Sequence, residues 1–161
     1  NESFASFVGA RGAAALFRSR GDSAAAARVD ARWQDDKLLG AFWANLSHTL
    51  DSAFKAHPAD SLARMTARTA IYAHARVTLV DSIAPRLVTI SPLYAKRVQL
   101  DNAALLARRV YGSGLDVFDE LWARNSNNLR ITIQQVITQA KRHPKDPFEA
   151  IRAAANGQEL H

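Results

Sequence analysis

Apolar positions along this chain recur mostly every three or four residues, which is the spacing of amphipathic helices. The pattern predicts a first helix over residues 2–20, ended by Gly21. It predicts a second, long helix over residues 24–57, stopped by Pro58. The predicted buried stripe of that long helix consists of Leu39, Phe42, Trp43, Leu46, Leu50 and Phe54.

A third helix is predicted from a cap at Asp60 or Ser61 to about Ala84, with Pro85 closing it. The apolar residues expected to share one side of this helix are Leu62, Met65, Tyr72, Leu79 and Ile83. The pattern then changes, because residues 87–90 are β-branched or aliphatic and a proline follows. We therefore expect an irregular connection over 85–99 that contains a short extended piece.

The rest of the chain again predicts helices, separated by glycine-rich and asparagine-rich breaks. The predicted segments are 101–111, a short helix around 117–122, a helix from 129 to about 140, and a last helix from 147. Asp146 as N-cap, Pro147 in the first turn and Glu149 three residues after the cap form a strong helix start. The predicted fold is all-α, an antiparallel bundle-like assembly of six or seven helices. It forms one helical domain over residues 1–161 or a piece of a larger one.

Composition narrows the classes of protein that fit this pattern. The 161 residues are 48% apolar, which suffices for one domain with a hydrophobic core. No apolar run approaches the ~18 residues of a membrane span, and the absence of cysteine excludes disulfides and thiolate metal sites. The net charge is +6, but no more than two basic residues are adjacent anywhere and acidic residues are interleaved with them, so we expect no nucleic-acid partner.

No complete catalytic constellation is visible in the sequence. No two histidines lie four residues apart, as a helical zinc pair requires, and no serine lies in a G-x-S-x-G turn. Asp116, Asp119 and Glu120 are carboxylates at helical spacing and could serve acid–base chemistry. A structural interpretation is favoured, because Asp116 lies in a predicted first turn, where negative charge is stabilising. The three tryptophans are interpreted as core anchors: Trp33, Trp43 and Trp122.

The first helix carries an unusual row of small residues, Ala5, Gly9 and Ala13, with Gly12 beside it and Glu2 near its start. Each glycine costs a helix about 1 kcal/mol relative to alanine. Such a cost suggests a steric reason, because small residues allow a second helix to approach closely. Spacing alone, however, favours an ordinary packing stripe beside a surface glutamate, since one carboxylate does not define a site.

Two motifs resemble those of a bacterial family of predicted zinc aminopeptidases, which belong to the gluzincin metallopeptidases. The first is Asn-Glu-Ser-Phe-Ala at residues 1–5, continued by the small residues of the same helix. In that family a His-Glu-x-x-His helix supplies two zinc ligands and the general base, and the glutamate of this motif is the third ligand. The resemblance therefore implies that Glu2 is a zinc ligand.

The second motif, Leu-Asp-Asn-Ala-Ala-Leu at residues 100–105, is similar to a downstream Leu-Asn-Asn-Ala-x-Leu pattern that a tyrosine follows. Asp101 replaces the usual first asparagine, which leaves no role to carry over to that position. The resemblance implies that Asn102 binds substrate and that Tyr111 is catalytic, donating a hydrogen bond to the tetrahedral intermediate. Either residue can also be purely structural, since both flank predicted helix ends.

The resemblance implies that the chain is the C-terminal part of such an enzyme, because it contains no His-Glu-x-x-His. The parent would use zinc to hydrolyse N-terminal peptide bonds, in the bacterial cell envelope or periplasm. The chain alone is expected to be inactive, to bind zinc weakly, and to form a homodimer or domain swap across its first helix. The alternative is a non-enzymatic, all-helical protein-interaction module.

Overall fold

The computed structural model describes residues 2–112 and 114–158, and the side chains of all of these except 109–112. The described residues form helices and no strand, which confirms the predicted all-α class. The eight α-helices are α1 Glu2–Ser19, α2 Ser23–Ala56, α3 Ser61–Thr78, α4 Leu93–Arg97, α5 Asn102–Gly112, α6 Leu115–Arg124, α7 Leu129–Arg142 and α8 Pro147–Asn156. None of these described helices combines the length and apolar character needed to cross a membrane.

The chain divides into two compact units. The first contains Asn1–Asp30 and Gly114–His161, and the second contains Ala31–Ser113. Helix α2 contributes its first two turns to the first unit and the rest to the second. Whether residues 1–161 form one whole domain stays a prediction.

In the first unit, α1 packs against α6 and α7, and α8 packs against the same two helices. Phe7 and Phe118 are buried at its centre, with ring centroids 5.5 Å apart, and Phe148 of α8 lies 5.8 Å from Phe118. The predicted start of α8 is confirmed, because the Asp146 carboxylate accepts a hydrogen bond from the Glu149 backbone N–H at 3.2 Å. This cap satisfies one of the free donors at the helix start.

The core of the second unit is built on the predicted stripe of α2. Five of its six residues are buried, from Leu39 to Leu50, and they pack with residues of α3, α4 and α5. The prediction for Phe54 was wrong, because this side chain is 36% exposed. It lies one turn beyond the last core residue of α2, where apolar spacing continues but no described core residue covers it.

Helix α3 begins at the predicted cap, where the Asp60 carboxylate accepts from the Ala63 N–H at 2.8 Å. Leu62 and Met65, on the predicted apolar side of this helix, are 73% and 64% exposed. The core of the unit meets α3 only from Ile71 onward, so the first half of the helix extends past it. Periodicity identifies the apolar side of a helix but not how far along it the core reaches.

Beyond Thr78 the helical backbone changes type twice. Residues Leu79–Ile83 form a π-helical segment and Ala84–Arg86 a 3-10 turn that contains Pro85. The predicted short extended piece does not form a strand: Leu87 has an extended backbone, residues 88–90 form bends and Pro92 lies in a turn. The backbone N–H groups of this stretch have no partner strand and instead converge on the buried carboxylate of Asp35.

Candidate functional site

The residue that the resemblance marks as a metal ligand, Glu2, lies exposed in the first turn of α1. At 100° per residue, positions 2, 5, 9 and 13 fall within one arc of the helix. The buried residues of α1 fall on the opposite side: Ser3, Phe7, Arg11 and Ala14. Glu2 and the row of small residues therefore share one face, and the other face packs into the first unit.

The face that carries Glu2 is open among the described residues. A Cβ atom added at Gly9 or Gly12 would meet no described atom within 4 Å other than its chain neighbours and its own helix backbone. Leu16, further along the same face, is 48% exposed. The described residues thus give no packing reason for the glycines, although glycine weakens a helix interior.

We expect Gly9→Ala to raise the free energy of unfolding of this chain by up to about 1 kcal/mol, since alanine is the better helix former and the space is open. Urea unfolding of the two forms measures the difference. Gly21→Ala is the control, because Gly21 has φ +76° and a side chain there is strained, so that variant should lose about 1 kcal/mol. A loss of stability in Gly9→Ala as well would mean that the face is covered.

The buried side of α1 carries an ionic cluster centred on Arg11, which is 7% exposed. Its guanidinium donates to Asp119 from Nε at 3.1 Å and from Nη2 at 2.5 Å, and to Asp30 at 3.0 Å. The same group stacks on the ring of Trp122 at 4.4 Å. The Asp119 carboxylate therefore links α6 to α1, which is a structural role.

Asn102 lies exposed in the first turn of α5 in the second unit. Its Oδ1 accepts a hydrogen bond from the Tyr72 hydroxyl of α3 at 2.8 Å. Burial raises the pKa of Tyr72, and nearby Asp101 acts in the same direction against the opposing Arg68 guanidinium. The phenol therefore stays protonated and donates to Asn102, so this asparagine links two helices through one of its amide atoms. Spacing along the sequence gave no sign of this pair, whose members lie thirty residues apart.

Tyr111 lies in the last turn of α5, and its side chain is outside the described residues. It is nine residues from Asn102, which corresponds to about 13.5 Å along a helix axis. The two positions are thus at opposite ends of one helix. Glu2 belongs to the first unit, whereas Asn102 and Tyr111 belong to the second.

The described residues contain no group of three His, Asp or Glu side chains that could hold a metal ion. A catalytic zinc needs three protein ligands and an open position for water. Glu2 fits the part of a single ligand, since it is an exposed carboxylate on an open helix face. The described part of the chain does not form a zinc site by itself.

The described chain is thus all-helical, and the open face of α1 carries the Glu2 carboxylate beside a row of small residues. Over residues 1–150 the chain matches the family model described as "Putative aminopeptidase", and it therefore belongs to that family. Searches among curated proteins and among solved structures found no significant match.

Proposed function

We propose that this chain is the C-terminal helical part of a zinc-dependent aminopeptidase of the gluzincin type, and that Glu2 is its third zinc ligand. The observation that carries the proposal is the common face of Glu2 and the small residues of α1, which is open among the described residues. Membership of the putative aminopeptidase family supports it. The family resemblance also underlies our proposal that the enzyme works in the bacterial cell envelope.

In this proposal the His-Glu-x-x-His helix packs against the open face of α1. Two histidines one turn apart occupy one side of a zinc ion, so the third ligand must come from a second helix close by. Positions 5, 9 and 13 keep the intervening surface low, which allows the two backbones to approach while Glu2 reaches the metal. Bound zinc would polarise the scissile carbonyl and activate water.

The family resemblance also assigns the helices of this chain to the wall of the substrate pocket. Asn102 is exposed at the start of α5, and its link to Tyr72 fixes its side chain. An oriented amide at a helix start can hydrogen-bond the backbone of a peptide. Tyr111 is assigned the stabilisation of the tetrahedral intermediate by the resemblance alone.

The test is the metal content of the intact parent enzyme, measured by mass spectrometry, with and without Glu2→Gln. We expect one zinc per chain in the unchanged enzyme and a large loss on substitution, because glutamine is a poor zinc ligand. Glu149→Gln is the matched control, since Glu149 is an exposed first-turn glutamate in the same unit. It should leave the zinc content unchanged.

Two results would contradict the proposal. Equal metal content in the unchanged and Glu2→Gln enzymes would exclude Glu2 as a ligand. No metal in either form would favour the alternative, a non-enzymatic helical module that binds another protein. Leu62 and Met65, exposed on α3, would then be the first surface to examine for a partner.

A further inference from the structure

We propose that a pocket formed by α4 and α5 in the second unit binds a carboxylate carried on an apolar body. The cavity has a volume of about 590 Å³, within the range of small-molecule sites. Its apolar lining comes from Leu93, Tyr94, Val98 and Ala104, and its charged lining from Arg97 and Arg108. The assignment does not depend on zinc or on the proposed role of Glu2, which lies in the other unit.

The charged side chains that line the pocket, among the described residues, are all basic. The described lining residues contribute two guanidinium groups and no carboxylate. A guanidinium presents parallel N–H donors whose spacing matches the two oxygens of a carboxylate. Two arginines that face one cavity therefore favour an anionic group, and a planar carboxylate fits their geometry.

Aromatic rings hold one of these arginines in place. The Arg108 guanidinium carbon lies 5.6 Å from the ring centroid of Tyr94 and 5.9 Å from that of Trp43. Cation–π attraction at these distances restricts the side chain before any ligand arrives. A pre-positioned arginine loses less conformational entropy on binding, which favours recognition.

The Tyr94 hydroxyl is a further polar group of a lining residue, in addition to the two guanidinium groups. The hydroxyl oxygen is buried and has no hydrogen-bond partner among the described residues. A buried donor without a partner is unfavourable, and such groups in native structures are usually satisfied by water or a ligand. Tyr94 lines the pocket, so a ligand carboxylate that displaces the cover of this hydroxyl would provide the acceptor that it lacks.

The walls of the pocket are fixed by hydrogen bonds from outside it. The Arg76 guanidinium of α3 donates to the carbonyl oxygens of Ala95 and Val98, at the end of α4. Helix α5 is capped by Asp101, whose carboxylate accepts from the Ala104 N–H at 2.8 Å. The two helices that carry Arg97 and Arg108 are therefore anchored separately.

The apolar walls of the pocket favour an organic carboxylate over an inorganic anion. Val98, Ala104 and Leu93 offer surface that a bare inorganic anion cannot use, whereas an aliphatic or aromatic group gains from covering it. The ligand is thus a free carboxylic acid with an apolar side chain, or the C-terminal carboxylate of a peptide that ends in one. Both have the same recognition chemistry.

The test measures binding of N-acetyl-leucine to the intact protein by titration calorimetry. We expect saturable binding, weakened about tenfold or more by Arg97→Gln and by Arg108→Gln, as expected when a charge-assisted hydrogen bond is lost. Lys96→Gln is the matched control, because Lys96 is exposed on the same helix and does not line the pocket. It should change the affinity by less than about twofold, as screened exposed charges do.

Three further probes complete the test. N-acetyl-leucine amide should not bind, and Ala104→Phe, which fills the pocket but keeps both arginines, should abolish binding. A tripeptide with a C-terminal leucine carboxylate distinguishes the two sources, since only an open-ended pocket accepts it. The proposal is overturned if the amide or inorganic phosphate binds as tightly as the acid, if Lys96→Gln equals Arg108→Gln, or if no saturable binding occurs.

Discussion

Replacing Asp35 by alanine should lower the free energy of unfolding by about 3 kcal/mol, since the buried hydrogen bonds of a charged group are lost together. Asp35 is 1% exposed, and its carboxylate accepts four hydrogen bonds. The donors are the backbone N–H groups of residues 88–90, at 2.7 to 3.0 Å, and the Thr89 hydroxyl at 2.7 Å. Without the carboxylate, a turn that has no strand or helix of its own loses its main anchor.

Chemical unfolding of two further variants separates charge from packing. Asp35→Asn keeps one acceptor oxygen and should cost less than Asp35→Ala, about 1–2 kcal/mol. Asp36→Asn is the control, because the pair that Asp36 forms with Arg32, at 3.0 Å, is solvent-exposed, and its loss should cost less than about 0.5 kcal/mol. Equal losses in the Asp35 and Asp36 variants would show that the turn does not depend on this carboxylate.

The same carboxylate makes stability depend on pH. Burial alone would raise the pKa of Asp35, but the hydrogen bonds from Val88, Thr89 and Ile90 outweigh it, so the pKa lies below the ordinary 3.8. A lowered folded-state pKa stabilises the protein fully above the unfolded-state value and loses this contribution as pH falls through the folded-state value. Between about pH 4 and pH 2, unfolding free energy should therefore fall more steeply in the unchanged protein than in Asp35→Asn.

Replacing Arg11 by methionine should cost about 3–5 kcal/mol, the usual effect of removing one partner from a buried ion pair. The substitution leaves the carboxylate of Asp119, whose side chain is only 16% exposed, without its guanidinium partner. It also removes the stacking on Trp122. Thermal or urea unfolding measures the loss, and the contacts of α1 with α6 are where it should originate.

Arg18→Met is the matched control for this cluster. Arg18 also pairs with Asp30, but it is 52% exposed, so the loss should stay below about 1 kcal/mol. Combining Arg11→Met with Asp119→Asn should recover part of the stability, because the largely buried carboxylate that has lost Arg11 no longer carries a charge. A double variant as unstable as the sum of its single changes would show that the two residues act independently.

The helices could be predicted because their signals are local. Four helix caps each accept a hydrogen bond from a backbone N–H only three residues ahead, so a short stretch of sequence contains both partners. These caps are Asp60, Asp101, Asn128 and Asp146. The exposure of Phe54 and Leu62 could not be predicted, since it depends on how far α2 and α3 extend beyond the core residues of the second unit. Asp35 could not be recognised as an anchor either, because its partners lie 53 to 55 residues away.

The candidate site was predictable to a different degree at each position. The helical placement of Glu2 follows from spacing, and the structure puts it on the face opposite Phe7. The link between Tyr72 and Asn102 joins two helices and has no sequence signal. The pocket lined by Arg97 and Arg108 was also missed, because two basic residues eleven apart converge only when α4 turns back towards α5.

The first unit has a consequence for synthesis on the ribosome. It joins Asn1–Asp30 to Gly114–His161, so its two parts are made at different times. Phe7 cannot meet Phe118 until roughly 110 further residues have been added, which takes roughly 5–20 s at ordinary translation rates. During that interval the apolar side of α1 lacks its partners from α6 and α7, and the nascent chain is most in need of a chaperone.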